Sequence, residues 1–309
     1  MTTFEIRPRG PFDLAAATDF IGGFTAGIGA DGTGRGIRMA FPVEGWDGSV
    51  AIDVAQEPDG TISADVAATG HVDLEVIQRQ AARSLSLDHD GAGWVDVGRR
   101  DPVIGRLQER FAYLRPVCFY SAYEAATSFV IGQRIAMRQA RVVKARLADG
   151  WGDEIDASGG VVRAFPRPQR LLEAAAVPGI SAVKVDRLHA LAQAALDGRL
   201  DTERLRALPE ADALAELRTL PGVGEWTAQA VLLRGCGVAD ALPLGDEVSR
   251  RAVQSLYELP DLPDDETWTR IAEAWRPFRM WATVLLRVGW GRDQPAPPSY
   301  RQGSRTPEA

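Results

Sequence analysis

The stretch LPGVGEWTAQAVLLRGCGVADALPLGDE, 220–247, gathers a glycine-bearing turn, a tryptophan and a lone aspartate into one short span. Pro221 stops one helix, and Gly222 and Gly224 permit a tight reversal into the next. Without side chains at the turn, its backbone can approach another surface closely. The amides of the turn and of the following helical turn then form an anion site suited to a phosphodiester. An isolated turn of this kind is more often a plain link between packed helices, so its context decides. Asp246 opens a further helix after an intervening helix and a short loop. It reads as an N-cap, and a carboxylate fixed at a helix start is also held rigidly for chemistry. Trp226, at the start of a buried helix, reads by itself as core packing.

The elements that must position these residues are helical. From Asp101 onward the patterning predicts helices over 123–148, 182–198, 212–220, 225–235, 246–257 and 266–289, packed as a bundle. Leu188, Leu191, Ala192 and Ala195 make one apolar stripe. Pro277 is expected to kink or break the last helix near Arg276. Residues 4–70 read instead as strands separated by Gly/Asp turns, with Val50, Ile52 and Val54, then Ile62, Ala64 and Val66, alternating as in a half-buried antiparallel sheet. A helix is predicted over 71–86, and 88–102 reads as a connection. The expected class is α+β: an N-terminal antiparallel sheet with helices (1–100), an all-α helix–hairpin–helix domain (101–290) and a disordered tail (291–309).

Composition narrows the function classes. The chain has 309 residues, 45% of them apolar, enough for proper cores. Neither its first residues nor any later stretch has signal-peptide or membrane-span character, so a soluble, intracellular (cytoplasmic) protein is expected. Cys118 and Cys236 cannot build a disulfide framework or a four-cysteine metal site and read as buried thiols, and His71, His89 and His189 are too scattered for a metal centre. The net charge of −7 argues at first against nucleic acid. Yet residues 1–100 carry 15 acidic and 8 basic side chains and the remainder 27 of each, so the acid excess lies wholly in the first part. Lys144 and Lys184 are the only lysines, and arginine's planar fork suits bidentate phosphate contacts.

Five ordered segments carry a more specific signal: LRPVCFYSAYEAATSFVIGQRIA (114–136), GISAVKVDRLHALAQAALDGRL (179–200), LRTLPGVGEWTAQAVLLRG (217–235), LPLGD (242–246) and AWRPFRMWATVLLRVGW (274–290). Together they resemble the helix–hairpin–helix superfamily of base-excision DNA glycosylases, specifically the 3-methyladenine DNA glycosylase II branch. The resemblance implies hydrolysis of the N-glycosidic bond of alkylated purines in duplex DNA, with the target nucleotide flipped into a pocket. It implies Asp246 as the carboxylate that stabilises positive charge on the sugar, and Trp226, with Phe20, as aromatic pocket walls for a cationic base. Pro221, Gly222, Val223, Gly224 and Thr227 are implied DNA contacts. Gln133 is implied beside the opened pair, and Arg134 as the wedge that fills the gap.

The resemblance further implies that the carbonyls of Arg218, Leu220 and Val223 hold a monovalent cation, with no catalytic metal or cofactor, and that the protein acts as a monomer on double-stranded DNA without a membrane. This sequence departs from the pattern at three places: Ala230 replaces a pocket tyrosine, Arg287 a pocket tryptophan and Arg134 a leucine wedge. The strand-cleaving branches carry a nucleophilic lysine at the position of Trp226, so an unbroken strand is expected here. Two readings stay open beside this one: a non-enzymatic helix–hairpin–helix DNA-binding protein, in which Asp246 is merely a cap, and a bifunctional glycosylase–lyase.

Overall fold

The structure, a computed structural model, describes residues 2–23, 31–32 and 36–293. The expected α+β class is borne out. An antiparallel sheet is built from β1 (Thr2–Ile6), β2 (Asp31–Gly32), β3 (Gly36–Pro42), β4 (Gly48–Gln56) and β5 (Ile62–Gly70), in the order β1-β5-β4-β3-β2. Its register sets Ile52 opposite both Met39 and Val66, so the alternating apolar residues share one face. That face is covered by α1 (Leu14–Gly23) and α2 (Leu74–Ser84), which Asp73 caps through the Glu75 N–H. The sequence reading missed α1 within a stretch assigned to strands. Its start signal was present, since the Asp13 carboxylate accepts from the Ala16 N–H at 2.9 Å.

The stretch 88–102, read as a connection, is ordered structure. After a 3-10 turn come α3 (Trp94–Arg100) and α4 (Pro102–Arg110), capped by Asp101. Trp94 is fully buried against Phe278 and Trp281. A buried tryptophan side chain is worth more than any turn signal, because full burial of a large apolar group contributes about 1.5–3 kcal/mol.

The remaining helices form two cores. The first combines α5 (Ala122–Gly132), α6 (Met137–Trp151), α7 (Pro168–Leu171), α8 (Ala182–Leu196), α9 (Thr202–Ala207), α10 (Glu210–Arg218) and α11 (Glu225–Ala230), which continues into a π-type turn over Val231–Gly235. The second combines α3 and α4 with α12 (Glu247–Leu256), α13 (Asp265–Ala272) and α14 (Arg279–Asp293) around Trp268, Trp275 and Trp281. The break foreseen at Pro277 occurs between α13 and α14, where the Arg276–Pro277 peptide is cis. The helix foreseen over 123–148 is instead two, parted at Gln133–Ala136, with Arg134 at φ +57°. The helical region also contains a β-hairpin, β6 (Glu154–Ala157) and β7 (Gly160–Arg163), that leans on the outer face of the first sheet through Ala40, Ala51, Ile155 and Ala164. α14 extends three residues into the stretch read as a tail, and 294–309 lie outside the described residues.

Candidate active site

A cleft of about 780 Å³ separates the first core from the second. One wall comes from α5, the start of α6, α11 and the π-type turn. The other comes from α12, the loop before it and α14, and α1 adds Phe20.

Asp246 lies in this cleft with 6% of its surface exposed. It caps α12 by accepting the Val248 N–H on Oδ1 at 3.2 Å. Oδ2 accepts from Ser249 Oγ at 2.6 Å and from an Arg287 Nη1 at 2.8 Å. Three donors thus fix the carboxylate, two of them from its own helix. Arg287, where the resemblance leads one to expect tryptophan, makes this wall polar and offsets part of the negative charge. Ser249 escaped the sequence reading; its place three residues after the N-cap, on the same turn of α12, is the signal that could have found it.

Trp226 is not a core residue. It is 44% exposed and stands edge-on to Phe129, with ring centroids 5.4 Å apart. Phe20 is half-buried and borders the same cleft, with the Arg234 guanidinium 5.4 Å from its ring centre. Burial pulls Arg234 down to about 10, still protonated at neutral pH, and it donates to the Val117 carbonyl at 2.5 Å. Ala230 keeps its wall small. Ser128, also in the cleft, is a buried hydroxyl with no hydrogen-bond partner. Phe129, Ser128 and Arg234 escaped the sequence reading, since helical periodicity marks such residues only as inward-facing.

The hairpin joins α10 to α11. The Leu220 N–H closes on the Leu217 carbonyl and the Val223 N–H on the Leu220 carbonyl, at 3.1 and 3.0 Å. Gly222 has φ +84°, and a Cβ there would come within 2.8 Å of Arg187. Gly224 has an ordinary φ of −90° and nothing within 4 Å of a built Cβ, so the fold itself does not demand glycine there. Val223 and Thr227 are 5% exposed. Both residues thus offer little side-chain surface to a partner. Pro221 and Gly224 are exposed and Gly222 half-exposed. Gln133 reaches the hairpin, donating to the Gly222 carbonyl at 2.7 Å, while its Oε1 accepts from Arg187 at 3.3 Å. Arg134 projects beside it as an exposed residue.

Neither lysine is among the described residues that line the cleft. Lys144 is buried, paired with Glu124 at 3.2 Å and set over the rings of Phe119 and Phe165. Burial lowers its pKa and raises that of Glu124. The Lys184 ammonium donates to the carbonyls of Ile131 and Gln133 at 2.8 and 2.5 Å. Cys118 and Cys236 are buried thiols, as expected.

No protein-family model matches the chain. It is 30% identical over 199 residues to DNA-3-methyladenine glycosylase 2 of Escherichia coli strain K12, an alignment covering 62% of this chain and 66% of that one. The chain belongs to this family of helix–hairpin–helix DNA glycosylases. A second member, DNA-3-methyladenine glycosylase of Bacillus subtilis strain 168, is 24% identical over 206 residues, covering 65% of this chain and 68% of the relative. The alignments thus span about two thirds of either glycosylase. The fold agrees: a solved 3-methyladenine DNA glycosylase of Archaeoglobus fulgidus matches with a TM-score of 0.75 at 23% identity, over 93% of this chain and 97% of that one.

Among the described residues no helix is long and apolar enough to cross a membrane.

Proposed function

We propose that the chain is a monofunctional DNA glycosylase that releases alkylated purines, 3-methyladenine among them, from double-stranded DNA. The observation that carries the reading is Asp246: a buried carboxylate, fixed by three donors, in a cleft bordered by Trp226 beside a glycine hairpin. The hairpin backbone approaches the phosphodiester chain, and Arg134 occupies the space vacated by the extruded nucleotide. The carbonyls of Arg218, Leu220 and Val223 would hold a monovalent cation, Leu220 giving one lone pair to the Val223 N–H and keeping the other, and the cation would supply positive charge beside a phosphate.

A flipped cationic base meets the aromatic faces of Trp226 and Phe129, with Ser128 as a hydrogen-bonding group. The C1′–N bond breaks with its electron pair leaving on the base, which neutralises the base's charge. Asp246 stabilises the positive charge that develops on the sugar. A water oxygen bonds to C1′ and its proton passes to Asp246 or solvent, leaving an abasic site. Strand scission through a Schiff base needs an amine at C1′. The engagement of Lys144 and Lys184 elsewhere supports the monofunctional reading.

Incubation with a methylated duplex should release free base, and strand breaks should appear only after alkali. Borohydride trapping should give no covalent protein–DNA adduct. An adduct lost on changing Lys144 or Lys184 would turn the assignment to the bifunctional alternative, and binding without base release would turn it to the non-enzymatic one.

A further inference from the structure

The four-residue break between α5 and α6, Gln133–Ala136, is held open from outside. An α-helix leaves its last carbonyls without intrahelical partners. At the end of α5 the carbonyls of Ile131 and Gln133 both accept from the Lys184 ammonium, reaching across from α8. Three residues along α8, Arg187 donates to the Gln133 side chain, whose amide in turn donates to the Gly222 carbonyl. Arg187 also packs where a side chain on Gly222 would sit. Between these anchors Arg134 is held at φ +57°, in the left-handed region that an L-residue adopts only at a steric cost. Such strain persists only where surrounding contacts over-determine it.

We infer that Lys184 is a positioning residue for base extrusion: it fixes the C-terminal carbonyls of α5, and with Gln133 and Arg187 ties the Arg134 loop to the hairpin, so that wedge and backbone grip act as one rigid unit. The inference rests on the glycosylase reading for its consequence, but the brace itself does not. A cation at a helix C-terminus is also favoured by the helix dipole, which makes lysine more than a spacer here. Gln133 spends both ends of its amide on the brace, so its part in the complex is to hold the loop.

The test compares Lys184→Met and Lys184→Arg with the unsubstituted protein. Amide hydrogen exchange over 131–136 should accelerate in Lys184→Met and return towards the original in Lys184→Arg, with the melting temperature of both close to that of the parent. Single-turnover release of 3-methyladenine from a fully paired duplex should fall about tenfold in Lys184→Met, the scale of a lost charge-assisted hydrogen bond. Release of the same base placed opposite an abasic site, where extrusion needs little help, should change less than about twofold. Equal losses on the two substrates, or unchanged exchange in the loop, would overturn the inference. If the unsubstituted protein releases no base from either DNA, the glycosylase reading fails, and the exchange comparison alone still decides the brace.

Discussion

At the scale of single residues, the site is a carboxylate whose freedom has been removed. Asp246→Asn keeps the shape and a capping oxygen for α12 but removes the charge. Base release should fall by about a hundredfold or more while duplex binding and the circular-dichroism spectrum stay unchanged. Release near the parental rate would leave Asp246 as a cap alone. Ser249→Ala removes one of the three donors to that carboxylate without touching its charge. On the proposed reading, in which Asp246 acts in the transition state and this hydrogen bond orients it, a loss of about tenfold in kcat with KM little altered is expected. A change confined to KM would show that Ser249 serves binding instead. Asp246 as a cap and the glycine turn were legible from their type and their place in the chain, whereas Trp226 read by itself as core packing and only the resemblance set it in the pocket. Arg287's pairing with Asp246 was not, because the two meet only when α14 packs along α12, and no local spacing encodes that.

At the scale of elements, the two hairpin glycines answer to different demands. Gly222→Ala forces an L-residue to φ +84° and presses a methyl group on Arg187. It should cost about 1–2 kcal/mol of stability, read as a lower melting temperature, and weaken DNA binding as well. Gly224→Ala meets no atom of the protein, so stability should hold while affinity for damaged and undamaged duplexes falls alike. Equal affinity in the Gly224 variant would mean that no partner backbone comes near that position. Most helices and the alternating strands were readable from period alone, but the helices that follow Asp13, Gly93 and Asp101 were not read. The break at Gln133–Ala136 was not: the apolar pattern runs through it, and what parts the helices is a set of hydrogen bonds from α8. The β6–β7 hairpin was hidden for a related reason, its strands being short and its support a distant sheet, fixed in part by Ser158 and Arg38 meeting on Asp53.

At the scale of the whole molecule, the cleft is a seam between two cores that meet at Val238, one rich in alanine and leucine and the other in tryptophan. The N-terminal sheet is joined to the helical part by aromatic contacts, Phe41 stacked on Tyr120 and Trp46 edge-on to Tyr123, by the small apolar contacts at Ala40 and Ala51, and by Ser49 donating to Asp153 at 2.7 Å. The two cysteines happen to divide between the cores, Cys236 in the first and Cys118 in the second, both without solvent access. Burial pushes the Cys236 thiol up to about 12 and raises that of Cys118, so neither reacts in the closed molecule. Each is therefore a built-in clock for the opening of its own half. Mass-resolved thiol alkylation under native conditions should register both at one common rate if the halves open together, and Cys118 and Cys236 at separate rates if the molecule can part along its catalytic seam.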